Sequence, residues 1–193
     1  LKLMTTPTHE PTEQISLFKV FMSEEAVQAT ADTLRSGMLT QGKKVEQFET
    51  DLKTYFQTPN ILTLNSATAG LTLAMRLLIK ADPTFDWPGF DPSTDVVLTP
   101  ALTCFATTTA LLGNNVNLRW LDVDPRTANI DLTTLASKLT PQTKVIYLVH
   151  WAGVPVDLDK LDQILEEAKP RLGFKPTVIE DCAHGFGTKF NDR

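Results

Sequence analysis

Val178-Ile179-Glu180-Asp181-Cys182-Ala183-His184-Gly185-Phe186-Gly187 passes from β-branched apolar residues into acid, then small residues, a histidine and two glycines. That order predicts a buried strand that stops and presents polar side chains at its carboxyl end. In open α/β sheets that end is where ligands bind. Asp181 there can hold a cationic ring nitrogen, and His184, three residues on, can reach another polar atom of the same ligand. Taken alone, the segment also reads as a buried Asp capping a turn.

Working outward, strand and helix alternate. A strand is expected at 145–149, ending at His150-Trp151-Ala152-Gly153, with Asp157 capping a helix to about Lys169 and a loop over 170–176. Earlier come a strand at 118–121, a helix at 130–139 stopped by Pro141, and a strand at 96–98. A small-residue helix at 106–112 is closed by Gly113. The stretch 81–93, rich in Pro, Asp and aromatics, reads as a surface excursion. A short buried strand at 61–64 runs into Asn65-Ser66-Ala67-Thr68-Ala69-Gly70 and a helix to about Ile79. Strand, small-residue turn and helix N-terminus make a ready anion site, with Ser66 and Thr68 adding hydroxyls. A plain N-cap reads equally well there. Ser23 before Glu24 and Glu25 starts a helix that runs to about Ser36, with Gly37 as its C-cap. Over 43–56, Val45, Phe48, Leu52, Tyr55 and Phe56 form one apolar helical face. Strands apolar on both faces belong to a mostly parallel sheet covered by helices on both sides, so the fold class is α/β.

Composition narrows the function. The 193 residues are 42% hydrophobic and 21% charged, with a net charge of −5 and no basic block. Nucleic-acid binding is disfavoured, since phosphate contact needs clustered Lys and Arg. No apolar run is long enough for a bilayer. Cys104 and Cys182 show no metal spacing, so no metal site is expected, and two thiols fit a reducing cytoplasm. Residues 1–14 read as a loose N-terminal arm and 15–193 as one domain. The glycine patterns of a dinucleotide site and of a P-loop are absent.

Several segments, in order, resemble the DegT-type sugar aminotransferases, pyridoxal-phosphate (PLP) enzymes of fold type I. They are Ser36-Gly37-Met38-Leu39-Thr40-Gln41-Gly42 with Val45, Phe48 and Glu49; Asn65-Ser66-Ala67-Thr68-Ala69; Thr99-Pro100-Ala101-Leu102-Thr103 with Ala106-Thr107; Asp122-Val123-Asp124-Pro125 with Asn129-Ile130-Asp131; His150 to Asp157; and Ile179 to His184. The likeness runs from about Ile15 to the end. It implies the large domain of the aspartate aminotransferase-like fold, in its N-terminal part, with the rest of that domain and a small C-terminal domain outside this chain.

The resemblance also implies roles. Asp181 pairs with the pyridine nitrogen, and His184 bonds the phenolic oxygen. Ser66, Ala67 and Thr68 hold the phosphate, and Cys104 stands where the family has an aromatic stacked on the ring. Ala67 replaces a glycine, which requires that turn to avoid positive φ. The Schiff-base lysine is expected beyond Arg193, so no catalytic residue is assigned here and this chain alone is expected to be inactive. Lys189 is too near Asp181 for that role. The implied reaction moves an amino group from a donor such as L-glutamate to a keto-sugar on a nucleotide, for amino-sugar or surface-polysaccharide synthesis, in a cytoplasmic homodimer. A PLP-dependent sugar dehydratase of the same fold and a non-catalytic PLP-fold protein are the alternatives. Lys43, Lys44, Arg119 and Trp151 read as surface or core edge.

Overall fold

A computed structural model describes residues 20–191. The expected arm at 1–14 lies outside them. By density of contacts the chain divides into two units, Leu1–Thr63 and Leu64–Arg193.

In the first unit, α1 (Glu24–Ser36) begins where Ser23 Oγ accepts the Ala26 N–H, and it ends at Gly37 in the left-handed region, both as expected. α2 (Lys43–Tyr55) follows. Its apolar face lines up as predicted, yet neither helix has a buried residue, and Phe48 and Tyr55 are exposed. The strand expected at 61–64 does not form; the segment is irregular and Leu62 is exposed. A physical reason is visible at Thr63. Its backbone N–H and its hydroxyl both donate to Glu49 Oε1, at 2.9 and 2.7 Å, so the groups a strand would offer its neighbour are committed locally.

The second unit is a three-layer α/β arrangement. β1 (Val96–Pro100), β2 (Asn117–Leu121), β3 (Thr143–Val149) and β4 (Thr177–Asp181) form a fully parallel sheet in the order β2-β1-β3-β4. Buried side chains alternate between two cores, as the period-two geometry of strands requires. On one face Leu98, Ile146 and Leu148 meet α5 (Leu132–Lys138) and α6 (Leu158–Leu172). On the other, Val97, Val145, Tyr147 and Ile179 meet α3 (Ala67–Leu78) and α4 (Phe105–Leu112). β1 and most of β3 are buried on both faces, whereas β2 is largely exposed.

Two expectations are corrected here. The 81–93 stretch is not wholly superficial: Trp87 and Phe90 join the α3/α4 core, and the Trp87 indole N–H donates to Leu78 O at 2.8 Å. The last helix passes through Pro170 and stops at Leu172, with Gly173 as a left-handed cap. Pro forfeits one helical hydrogen bond, but Ala168 and Leu172 are buried in the α5/α6 core, which holds the final turn. Among the described residues no helix is long and apolar enough to cross a membrane.

Candidate cofactor-binding site

The strand order reverses between β1 and β3, and the carboxyl ends of β1, β3 and β4 open at that edge. Asp181 ends β4 and lies on the same face as Ile179, the face that α3 and α4 cover. It is 5% exposed. Its Oδ2 accepts a 2.8 Å bond from the Thr107 hydroxyl on α4, and its Oδ1 accepts one of 3.0 Å from the Ala183 N–H. Among the described residues no cation forms an ion pair with it. A buried carboxylate is costly unless hydrogen-bonded and paired. The donors are here, and among the described residues a cation is not. Tyr147 lies on the same face, and burial, with the Asp181 charge adding to it, raises its phenol pKa well above the usual range.

His184 sits in the turn after β4. Its Nδ1 accepts the Ala152 N–H at 3.2 Å, and its ring meets Trp151 edge-on at 5.3 Å. In the neutral ring the proton is therefore on Nε2, which can donate to a ligand oxygen. Gly153 is needed beside it. It has φ +80°, and a Cβ there would meet His184 O at 3.0 Å.

The turn at 66–68 caps α3. Ser66 Oγ accepts the Ala69 N–H at 3.2 Å, and the first-turn N–H groups of Ala67 and Thr68 have no intrahelical partner. Ala67 is helical and is not among the positive-φ residues, which meets the condition set by its replacing glycine. The far end of α3 is tied to the amino edge of the sheet. The Phe90 N–H donates to Ile79 O at 3.3 Å, and the Asp91 N–H to Asp95 Oδ2 at 2.8 Å, just before β1. The 12-residue helix packs on α4 and β4 and runs back about 18 Å. Ser66, Ala67 and Thr68 thus lie at the carboxyl edge, on the face that holds Asp181. Cys104 is at the same edge, exposed, as the N-cap of α4 with no side-chain capping bond, and Phe105 beside it is exposed too.

Two contacts lie outside the roles that the sequence implies. The first is Thr107 to Asp181; the signal was Ala106-Thr107, already singled out as a motif. The second is buried His150, whose Nε2 meets Glu180 Oε2 at 2.8 Å while its Nδ1 accepts the Val156 N–H at 3.1 Å. Cys182 first, then Glu180, raises the His150 pKa to about 9, against burial. A second proton goes to Nδ1, against the Val156 N–H. His150, Glu180 and Cys182 bring ligand-type atoms within 4.8 Å of one another. Nε2 carries a proton in both the neutral and the charged ring, however, so it has no lone pair to offer a metal ion. The trio reads as a structural bond between β3 and β4.

A three-layer α/β domain with an acid at the carboxyl end of β4 and a capped helix N-terminus at the same edge is of the class that binds ligands at that edge. The chain belongs to the DegT/DnrJ/EryC1/StrS aminotransferase family, whose model matches residues 21–193. It is 31% identical over 172 residues to the spore coat polysaccharide biosynthesis protein SpsC of Bacillus subtilis, a match covering 89% of this chain and 40% of SpsC. Its fold matches that of AtS13 from Actinomadura melliaura with a TM-score of 0.81 and 41% identity, over 92% of this chain and 45% of AtS13. The sugar aminotransferase CalS13 from Micromonospora echinospora gives a TM-score of 0.79 and 37% identity, over 90% and 44% of the two chains. Spr1654 from Streptococcus pneumoniae, solved in a PMP form, gives 0.76 and 30%, over 90% and 43%. The chain therefore spans less than half the length of these relatives.

Proposed function

We propose that this chain is the cofactor-binding part of a PLP-dependent aminotransferase that moves an amino group from an amino acid such as L-glutamate to a keto-sugar carried on a nucleotide. The observation that carries the reading is Asp181, a buried carboxylate supplied with two hydrogen-bond donors and, among the described residues, no cation. Bound PLP supplies an electron sink for the carbon that bears the amine. Asp181 keeps the ring nitrogen protonated. The Nε2–H of His184 bonds the phenolic oxygen. The N–H groups of Ala67 and Thr68 and the Ser66 and Thr68 hydroxyls take the phosphate at the positive end of α3. Cys104 borders the ring and covers less of it than an aromatic would.

The sugar substrate is supported by the likeness to the sugar aminotransferase CalS13, and a role in polysaccharide synthesis by the likeness to SpsC. We place the whole protein in the cytoplasm, in keeping with the two free, exposed thiols of this chain, and as a homodimer, as the family resemblance implies. The lysine that binds PLP covalently belongs, on this reading, to residues beyond Arg193.

The test is PLP titration of the full-length protein, followed by absorbance, for the wild type and Asp181→Ala. Wild type binds PLP and loses the absorbance of the lysine-bound cofactor on addition of L-glutamate. Asp181→Ala weakens binding by about 10- to 100-fold, the worth of a hydrogen bond between charged groups. A folded wild-type protein that binds no PLP would sink the proposal.

A further inference from the structure

A carboxylate has no proton to give, so the Thr107 hydroxyl is the donor in its 2.8 Å contact with Asp181 Oδ2. A hydroxyl has one proton. The 2.8 Å contact between Thr107 Oγ1 and Thr103 Oγ1 must then run the other way, with Thr103 donating. The order Thr103 to Thr107 to Asp181 is fixed. A hydroxyl that accepts as it donates is polarised and becomes the stronger donor. Thr107 is fully buried, and its partner is 74 residues away in the chain. The other carboxylate oxygen is held by the Ala183 N–H. The Asp181 carboxylate is thereby gripped from two elements, α4 and the turn after β4.

We infer that Thr107, oriented by Thr103, is a positioning residue. It sets the plane of the Asp181 carboxylate and keeps its charge directed at the cofactor's ring nitrogen. This rests on the PLP reading above. The competing role is core packing, with Thr107 serving only as a small side chain on a helix of small residues. The two roles predict opposite rankings. Val matches the shape of Thr and lacks the hydroxyl; Ser keeps the hydroxyl and loses the methyl.

Three variants of the full-length protein, Thr107→Val, Thr107→Ser and Thr103→Val, are compared by PLP titration and by the pH dependence of the bound cofactor's absorbance. Thr107→Val weakens PLP binding about tenfold, and Thr107→Ser stays within about twofold of wild type. The pH transition of the bound cofactor's absorbance, which depends on the charge held at the ring nitrogen, shifts in Thr107→Val and not in Thr107→Ser. Thr103→Val falls between them, at about threefold, because it removes only the polarising donor.

A cofactor-free readout is added. Melting of the apo-protein in a double-mutant cycle of Thr107→Val with Asp181→Asn is expected to be non-additive. Should Thr107→Val fail to fold, Thr103→Val and Thr107→Ser carry the comparison. If Thr107→Val binds PLP as wild type does while Asp181→Ala does not, Thr107 is packing only, and the PLP reading stands. If Asp181→Ala also binds as wild type does, both fall.

Discussion

His150 shows how one side chain sets the pH response of the fold. Its ring joins β3 to β4 through Glu180, whose side chain is 39% exposed. Cys182 and then Glu180 raise its pKa from 6.5 to about 9. A folded-state pKa above the unfolded one means that the linked stability is complete below about pH 6.5 and is lost as pH rises through about 9. Solvent around Glu180 and the Val156 N–H facing Nδ1 both reduce its size. It is expected to be on the order of 1 kcal/mol, a change in Tm of about 1–2 °C in a protein more than twice this length. The melting temperature of the full-length protein, measured from pH 6 to 9.5, should fall by that much more than it does in His150→Gln. Equal slopes for the two proteins would show that the ring never takes its second proton. At this scale the sequence was partly legible. Asp181 and His184 could be singled out because an apolar run leads straight into them, and they lie at the end of β4 and in the turn after it. The tautomers of His150 and His184 could not, since each is fixed by a backbone N–H from a turn, Val156 for one and Ala152 for the other.

At the scale of elements, the turn after β3 is held by Asn129, a residue from the loop after β2. Asn129 is 5% exposed; its Oδ1 accepts the Trp151 N–H and its Nδ2 donates to Val154 O, both at 2.9 Å. Those bonds fix the short 3-10 turn Trp151–Gly153 whose Ala152 N–H orients His184. Asn129→Ala removes both bonds, to a half-buried N–H and to the C=O of exposed Val154, so it should cost about 1–2 kcal/mol. Asn129→Asp keeps the acceptor and should cost less. Chemical denaturation of the two variants measures this, and an Asn129→Ala loss below about 0.5 kcal/mol, the range of an ordinary surface change, would refute the locking role. The order of strands and helices was readable because β1 and β3 are continuous apolar runs and α3, α4 and α6 carry caps or periodic faces. The strand at 61–64 was misjudged because Glu49, fourteen residues back, takes the Thr63 donors. Pro170 was taken as a stop because the burial of Leu172 that outweighs it is a tertiary fact.

At the scale of the whole molecule, apolar surface governs behaviour in solution. In the second unit Leu77, Phe85, Phe105 and Phe186 are each more than two-thirds exposed. Both edges of its sheet, β2 and β4, present unpaired backbone groups among the described residues. Exposed apolar side chains next to open strand edges favour pairing between chains. A net charge of −5 opposes this only weakly at physiological salt, where screening acts within about 8 Å. Residues 1–193 produced alone should therefore associate at micromolar concentration and bind a hydrophobic dye. The full-length protein, on the homodimer reading, should sediment as one dimeric species and bind little dye. Raising the salt should increase association of the 193-residue chain, since it screens the repulsion and strengthens apolar contact. Phe105→Lys, at an exposed position, should reduce association without lowering the melting temperature. Sedimentation velocity across a concentration series decides the matter. A 193-residue chain that stays monomeric, binds no dye and melts cooperatively would show that these surfaces need no cover.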